Sequence, residues 1–176
     1  MTTDRITKVV QKLRQRYKED DPECLCMAMD ILLQHMPMGK SERACKGFFL
    51  RQSRIPLIML NSDQPQSLQR IVLAHELGHA NLHRAEKAFH EFQLFGSVQR
   101  CEHEANMFAA EYLLTDEAVL GILREEPSVY DAARKLCVPA ELLDFKLRLL
   151  KRRGYNVNPP LYADSCFMKR YSTTSE

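Results

Sequence analysis

The sequence lacks a long hydrophobic run, which argues against a membrane-spanning helix. Its apolar stretches, such as residues 48–50 and 55–60, are short, whereas a helix that crosses a bilayer needs about 20 apolar residues. The N-terminal residues, Met1–Arg5, also lack the charged and then apolar layout of a secretory signal peptide. We therefore expect a cytoplasmic protein that does not bind membranes.

The sequence also lacks a Cys-x-x-Cys pair, although it holds six cysteines. Cysteine zinc sites usually take their ligands from such pairs, so the spacing argues against one. Thiols stay reduced in the cytoplasm. We therefore expect free cysteines that are mostly buried as small hydrophobic side chains.

A strong excess of charge of either sign is absent as well, since the formal net charge is +2. This balance neither requires nor excludes nucleic acid as a partner. The one basic run lies within 146–153, and its expected role is a solvated helix face. Contact of the segment 127–153 with DNA stays open as an alternative, but nucleic acid is not the expected partner.

Hydrophobic spacing predicts an α+β protein that is mostly helical with a small β-sheet. Helices are predicted for 3–17, 22–35, 66–83, 100–114, 116–125, 129–136 and 140–153. Two short segments rich in bulky apolar residues, Gly47–Leu50 and Ile55–Leu60, are predicted to pair as a hairpin. Residues 85–99 are less regular, and we expect a loop or a partial helix there.

One segment carries a pattern with a chemical meaning, His75-Glu76-Leu77-Gly78-His79, within the helix predicted for 66–83. Residues four apart on a helix lie about one turn, roughly 5.4 to 6 Å, apart on the same face, so both imidazoles can converge on one zinc ion. Glu76 points to the side of that ion, where it would take a proton from a zinc-bound water. Gly78 costs about 1 kcal/mol relative to alanine in a helix interior, and we expect it to permit close approach of other backbone.

A catalytic zinc ion usually takes three protein ligands and leaves one position for water. Glu102 is favoured as the third ligand because it shares a helix face with small residues that should be buried. Glu104 is the alternative, but it lies roughly 200° around the helix from Glu102, so both cannot point at one ion. Asn106 could orient a ligating histidine by accepting a hydrogen bond. His103 and His83 are less favoured ligands, and His83 is expected to be a polar residue near the mouth of the cleft.

Two runs of residues resemble the ImmA/IrrE family of metallopeptidases. The first is Ile71–His83, with Leu-His after the second histidine of the motif, and the second is Glu102–Leu114, with its Glu-Ala-Asn-x-Phe-Ala-Ala order. The resemblance extends back through the strand pair at 46–60. Members often carry Met-Pro after the second run, where this sequence has Thr115-Asp116. That departure bears on the following loop and not on the metal.

The resemblance implies a minimal zincin-like fold in which His75, His79 and a glutamate hold one zinc ion. Members often act as antirepressors of phages and other mobile elements, and they cleave or help to remove a helix-turn-helix repressor. The sequence is therefore interpreted as a zinc endopeptidase that acts on a cytoplasmic regulator, with Glu76 as the catalytic base.

Two alternatives to this function remain. One is a binding module that contacts a repressor or DNA, with a structural or idle metal site. The other is a hydrolase of small molecules, which is weaker because the strand pair before the motif favours a peptide. The predicted organisation has three parts: a zincin-like domain with N-terminal helices at 1–120, a helical segment packed on it at 121–160, and a tail at 161–176.

Overall fold

The computed structural model describes residues 3–41, 43–52, 55–83, 95–126, 128–160, 163–165 and 167–170. In these ranges the chain forms helices around one small sheet. The helices are α1 (Thr3–Tyr17), α2 (Pro22–Ala28), α3 (Gln66–Leu82), α4 (Phe95–Leu113), α5 (Asp116–Glu125), α6 (Val129–Lys135), α7 (Ala140–Arg152) and α8 (Phe167–Arg170). The strands are β1 (Leu32–Met36), β2 (Gly47–Gln52) and β3 (Ile55–Asn61). The predicted α+β class, mostly helical with a small β-sheet, is confirmed.

The predicted hairpin forms one half of the sheet. β2 and β3 pair antiparallel, with Phe49 opposite Ile58, and β1 pairs parallel to β3 on the other side. The strand order is therefore β1-β3-β2, which makes β2 an edge strand within the described part of the chain. Alternate residues of β3, Ile58 and Leu60, are completely buried in the main hydrophobic core.

The first strand corrects a prediction, because the sequence indicated one helix from 22 to 35. The start of that helix is as predicted: the Asp21 carboxylate accepts hydrogen bonds from the backbone N–H groups two and three residues later, and proline follows at the first helical position. The helix ends early, however, at Ala28. The apolar residues after it form β1 instead of further helical turns.

A left-handed turn at Asp30, with φ of 55°, ends the helix. The N–H groups of Asp30 and Ile31 bond back to the carbonyl oxygens of Met27 and Cys26, at 3.1 and 2.9 Å. This is a Schellman turn, which usually has glycine where Asp30 stands. A glycine at this position would have predicted the turn from the sequence. Because Asp30 is there instead, the residue pattern did not predict where the helix ends.

The long helices α3 and α4 pack on each other at the centre of the fold. α3 lies between the sheet and α4, so almost every side chain from Leu68 to Leu82 is buried. A buried polar side chain on such a helix costs free energy unless it forms a hydrogen bond, pairs with an opposite charge or binds a metal. α4 begins at Phe95, earlier than the predicted start at residue 100, and residues 84–94 lie outside the described ranges.

The helix α7 belongs to two hydrophobic clusters. One face, which includes Phe145, joins the main core with α3 and α4. The other face, which includes Leu147, packs with residues of α5 and α6 in a smaller cluster. The division of the chain near residue 120 stays a prediction. In the described residues, none of the helices has both the length and the apolar composition needed to cross a bilayer.

The cysteines are less buried than the sequence led us to expect. Cys26 and Cys101 are buried and Cys24 is half-buried, but Cys45 and Cys137 are exposed. All five are free thiols, and the sixth cysteine lies outside the described residues. Burial raises the pKa of the Cys26 thiol to about 12, so Cys26 behaves as a small hydrophobic side chain.

Candidate metal centre

The two histidines of the motif point to the same side of α3. Only 3% of His75 and 3% of His79 is exposed, because α3 is covered by the sheet and by α4. Their Nε2 atoms lie 3.1 Å apart. One turn of helix therefore presents two imidazole nitrogens to a single point, as the four-residue spacing predicts.

The helix α4 brings a carboxylate to the same point. Glu102 is 6% exposed. Its Oε2 lies 3.5 Å from Nε2 of His75, and its Oε1 lies 3.7 Å from Nε2 of His79. The candidate ligand atoms of these three residues all lie within 4.8 Å of one another. The structure thus brings together the three residues that the sequence favoured as metal ligands.

Gly78 explains how α4 comes so close to α3. A Cβ atom at this position would lie 3.0 Å from the Cα atom and 3.2 Å from the carbonyl oxygen of Ala105. Both distances are shorter than ordinary contacts between nonbonded atoms. The predicted close approach of other backbone to Gly78 is therefore confirmed. We expect this approach to set the distance over which Glu102 reaches towards the two histidines.

The geometry of the three side chains fits a zinc ion. Zinc binds histidine nitrogen and carboxylate oxygen at about 2.0–2.2 Å, usually in a tetrahedron, which places neighbouring ligand atoms roughly 3.3 Å apart. Nε2 of His75 lies 3.1 Å from Nε2 of His79, and each imidazole lies near a different oxygen of Glu102, His75 at 3.5 Å from Oε2 and His79 at 3.7 Å from Oε1, so these separations lie around that value. Two imidazoles and one carboxylate also form a donor set of catalytic zinc sites that keep one position for water.

The surroundings of His75 favour a positive charge. Burial has the largest influence on this imidazole, and it acts to lower the pKa. A hydrogen bond with Glu102 and the negative charges of Glu76 and Glu102 act in the opposite direction, and the pKa of His75 is raised overall. The same local field would favour a bound divalent cation.

Glu76 lies beside the three candidate ligands and borders the same cleft. It is 7% exposed. The cleft has a volume of about 460 Å³, and its lining includes Glu76, the candidate ligands, residues 47–50 of β2 and Met168 of α8. An edge strand of the sheet therefore runs along a cleft that also contains a carboxylate next to the candidate metal centre.

The structure places Glu104 away from the three candidate ligands. Its Oε2 lies 3.1 Å from Nε2 of His83, and Nε of Arg100 donates to its Oε1 at 3.1 Å. Burial acts to raise the pKa of this carboxyl, but hydrogen bonds, including those from His83 and Arg100, lower it overall. Glu102 and Glu104 thus point to different partners, as their angular separation on the helix requires.

His83 corrects a second prediction, because it is not a polar residue at the mouth of the cleft. Its side chain is 7% exposed and lies between Glu104 and His79. The Nδ1 atoms of His83 and His79 lie 3.2 Å apart. The only signal in the sequence was the four-residue spacing from His79 to His83, which shows nothing of the partner on α4.

His103 and Asn106, also on α4, are not among the three candidate ligands. His103 packs edge-on against Phe145, with ring centroids 5.3 Å apart. Asn106 is completely buried, and its Nδ2 donates to the carbonyl oxygen of Ser165 at 2.7 Å.

Asn106 also acts on His75, since it is among the influences that raise the pKa of this imidazole. Among the described residues, Asn106 Oδ1 and His75 Nδ1 are both buried without a hydrogen-bond partner. The orienting contact that the sequence suggested for Asn106 stays a prediction.

Comparison with known proteins identifies the family. The IrrE N-terminal-like domain of a peptidase family matches residues 26–148, a stretch that includes the sheet, α3, α4 and most of α7. This chain belongs to the ImmA/IrrE family of metallopeptidases. Membership of the ImmA/IrrE family confirms the family resemblance seen in the sequence, establishes a metallopeptidase role and implies a metal ion.

Two relatives in the ImmA/IrrE family match most of the chain. Metallopeptidase ImmA of Bacillus subtilis (strain 168) is 32% identical over 154 residues, which cover 83% of this chain and 86% of the relative. A protein of Bacillus phage phi105 with the name "Uncharacterized immunity region protein 2" is 35% identical over 142 residues, which cover 80% of this chain and 88% of the relative. Both alignments therefore cover most of this chain and most of each relative.

Proposed function

We propose that this chain is a zinc-dependent endopeptidase that cleaves a helix-turn-helix repressor, or a similar regulator, in the cytoplasm. The observation that carries the proposal is the meeting of His75, His79 and Glu102 at one buried point, with Glu76 beside them in a cleft bordered by an edge strand. In this proposal the first three residues hold one zinc ion, and Glu76 is the catalytic base.

The zinc ion would supply Lewis acidity, which polarises a peptide carbonyl and makes water more acidic. The contribution of the protein is placement and proton transfer. Glu76 would take a proton from the attacking water and pass it to the amine that leaves. Its place next to His75 on α3 suits this role, because it faces the cleft without being one of the converging ligands.

The border of the cleft supports a peptide as the substrate. β2 is an edge strand in the described part of the chain, and its residues 47–50 line the cleft. An extended peptide can add to such an edge through backbone hydrogen bonds. Phe49, Val72 and Met168 line the same cleft, so we propose that a hydrophobic side chain of the substrate lies near the bond that is cut.

The family and its named members support a regulator as the substrate. One relative is named as a protein of a phage immunity region and the other as a metallopeptidase. Members of the ImmA/IrrE family often remove helix-turn-helix repressors of mobile elements. We therefore propose such a repressor as the partner of this chain.

The alternative, a module that contacts DNA through 127–153, loses support because two basic side chains of this segment pair with carboxylates of the protein. Lys146 is 1% exposed and pairs with Glu111 and Asp116. Arg153 pairs with the same two carboxylates. Cations that are already neutralised within the protein contribute little to the binding of phosphates.

The test is Glu76→Gln, assayed by mass spectrometry with a helix-turn-helix repressor from the same genetic element. We expect the cleavage rate to fall by about 10²- to 10⁴-fold, because the base is lost, while metal analysis shows an unchanged zinc content. Glu117→Gln, at an exposed position of α5, is the matched control and should cleave normally. Cleavage by Glu76→Gln at the wild-type rate would refute the mechanism. Survival of the regulatory effect in cells that carry this variant would favour the binding module.

A further inference from the structure

We propose that His83 and Glu104 form an orienting pair that fixes the ring of His79 for metal binding. The proposal rests on the proposed function, since it concerns a ligand of the same zinc site. It is carried by three contacts that run in series from the candidate metal centre to the surface: His79 to His83, His83 to Glu104, and Glu104 to Arg100.

The first step is the orientation of His79. Its Nε2 is the nitrogen that faces His75 and Glu102, at 3.1 and 3.7 Å. A nitrogen that binds a metal carries no proton, so the proton of a neutral ring must be on the other nitrogen. The proton of His79 is therefore on Nδ1 when the metal is bound, and Nδ1 lies 3.2 Å from Nδ1 of His83.

The second step is the proton of His83. To accept from His79, Nδ1 of His83 must be unprotonated, and the proton of its neutral ring must then be on Nε2. That nitrogen lies 3.1 Å from Oε2 of Glu104, an acceptor. Each contact thus has one donor and one acceptor, and the series has one consistent direction from the metal outwards.

The third step is the support of Glu104. Nε of Arg100 donates to Oε1 of Glu104 at 3.1 Å, while Oε2 stays available to His83. Arg100 is largely exposed, but Glu104 is 5% exposed. Glu104 is on α4, the helix that also carries Glu102, and His83 directly follows α3, which carries His79. The orienting pair therefore links the same two elements that bring the candidate ligands together.

The geometry also argues against His83 as a fourth metal ligand. Its closest approach to the centre is through Nδ1 of His79, on the side of that ring opposite to the nitrogen that faces His75. Its other nitrogen is engaged by Glu104. A side chain that hydrogen-bonds the outer nitrogen of a ligating histidine fixes both its tautomer and its ring plane, and loss of such a partner typically weakens metal binding 10- to 100-fold.

The experiment measures the dissociation constant of zinc by competition with a chelator for four proteins. His83→Leu removes both polar contacts of the ring at similar size, and we expect its Kd for zinc to rise by about 10- to 100-fold. His83→Gln keeps an acceptor for His79 and a donor for Glu104, so it should recover most of the affinity. His35→Leu, at an exposed position of β1, is the control and should bind zinc like the wild type.

A second readout separates positioning from folding. Nitrogen-15 NMR of the zinc-loaded wild type should show the Nδ1 proton of His79 protected from exchange with water, and His83→Leu should lose this protection while its circular dichroism stays unchanged. An unchanged Kd and an unchanged Nδ1 signal in His83→Leu would overturn the orienting pair. Failure of the wild type itself to bind zinc would overturn the proposed function instead, so the two failures are distinguishable.

Discussion

Charged groups are buried in two regions of this protein, and the two regions balance them differently. The first lies between α4, α5 and α7. There Lys146 and Arg153 each pair with both Glu111 and Asp116, so that two cations meet two carboxylates. We call these four residues the internal ion cluster. It corrects the expectation of a solvated basic face at Lys146, which is almost completely buried, whereas Lys151, Arg152 and Arg153 are exposed as expected.

The second region is the candidate metal centre between α3 and α4. Its converging atoms come from His75, His79 and Glu102, that is, from two imidazoles and one carboxylate. Glu76 adds a second carboxylate that borders the same cleft. None of these four side chains carries a fixed positive charge at neutral pH. Burial acts most strongly on the pKa of His75 and acts to lower it, but a hydrogen bond with Glu102 and the negative charges of Glu76 and Glu102 help to raise this pKa overall.

This difference indicates what each region contributes to the protein. A buried charge is costly unless an opposite charge and hydrogen bonds compensate for it. In the internal ion cluster, cations and carboxylates of the chain compensate for each other's charge, so this region contributes to folding. The candidate metal centre gathers groups that a divalent cation would compensate, and it therefore serves binding. The comparison predicts that the two regions respond to different perturbations.

The largest expected effect is on the internal ion cluster. Lys146→Met removes a buried cation and leaves Glu111 and Asp116 less compensated, so we expect the free energy of unfolding to fall by about 3–5 kcal/mol. Denaturant unfolding of the zinc-free protein measures it. Lys151→Met, at an exposed position of the same helix, should change stability by no more than about 0.5 kcal/mol. Equal effects of the two substitutions would show that the cluster does not stabilise the fold.

Zinc should act on the other region. At a free concentration of about 100 times its Kd, a ligand of the native state alone stabilises it by about 2.7 kcal/mol. For a protein of this size we expect the melting temperature to rise by about 5–11 °C, and excess chelator should reverse the rise. Magnesium should have little effect, because it prefers all-oxygen sites.

Adding zinc to the Lys146→Met variant tests whether the internal ion cluster and the candidate metal centre are independent. The zinc-induced rise should be the same size in Lys146→Met as in the wild type, because separate sites contribute independently. A rise that is absent in the wild type would contradict the metal centre. A rise that is lost only in Lys146→Met would show that the two regions are coupled.

The candidate site was easier to predict from the sequence than its surroundings. The group of His75, Glu76 and His79 lies on one helix, where spacing alone determines which side chains share a face. Glu102 required a second helix, but the small residues beside it marked the face that would be buried. Gly78 was informative for a similar reason, because an unfavourable residue in a helix interior indicates a close contact.

What the sequence did not reveal depends on contacts between distant residues or on unusual backbone. His83 and Glu104 are 21 positions apart, and no local pattern pairs them. Lys146 looked like a solvated cation because its partners, Glu111 and Asp116, are on other helices. The strand β1 was mistaken for helix because the turn before it uses Asp30, not glycine, in the left-handed conformation.

The smallest expected effect tests the packing that joins the two halves of the metal centre. In Gly78→Ala the new Cβ would lie 3.0 Å from the Cα atom of Ala105. Because the obstacle is backbone, α3 and α4 must move apart, which we expect to cost about 1–3 kcal/mol in the free energy of unfolding. The same movement would draw Glu102 away from the histidines. Zinc affinity, measured by chelator competition, should therefore fall together with stability.

Gly121→Ala is the matched control, because Gly121 is inside α5 and a Cβ atom there would meet nothing within 4 Å. The same substitution should stabilise the protein by about 0.5–1 kcal/mol at this position, since alanine is the better helix former, and it should leave zinc affinity unchanged. A Gly78→Ala variant that gained stability like Gly121→Ala, or lost stability without losing zinc affinity, would show that the distance between α3 and α4 does not set the reach of Glu102. The comparison of two glycines in two helices thus separates the helix propensity of the residue from the geometry of the metal centre.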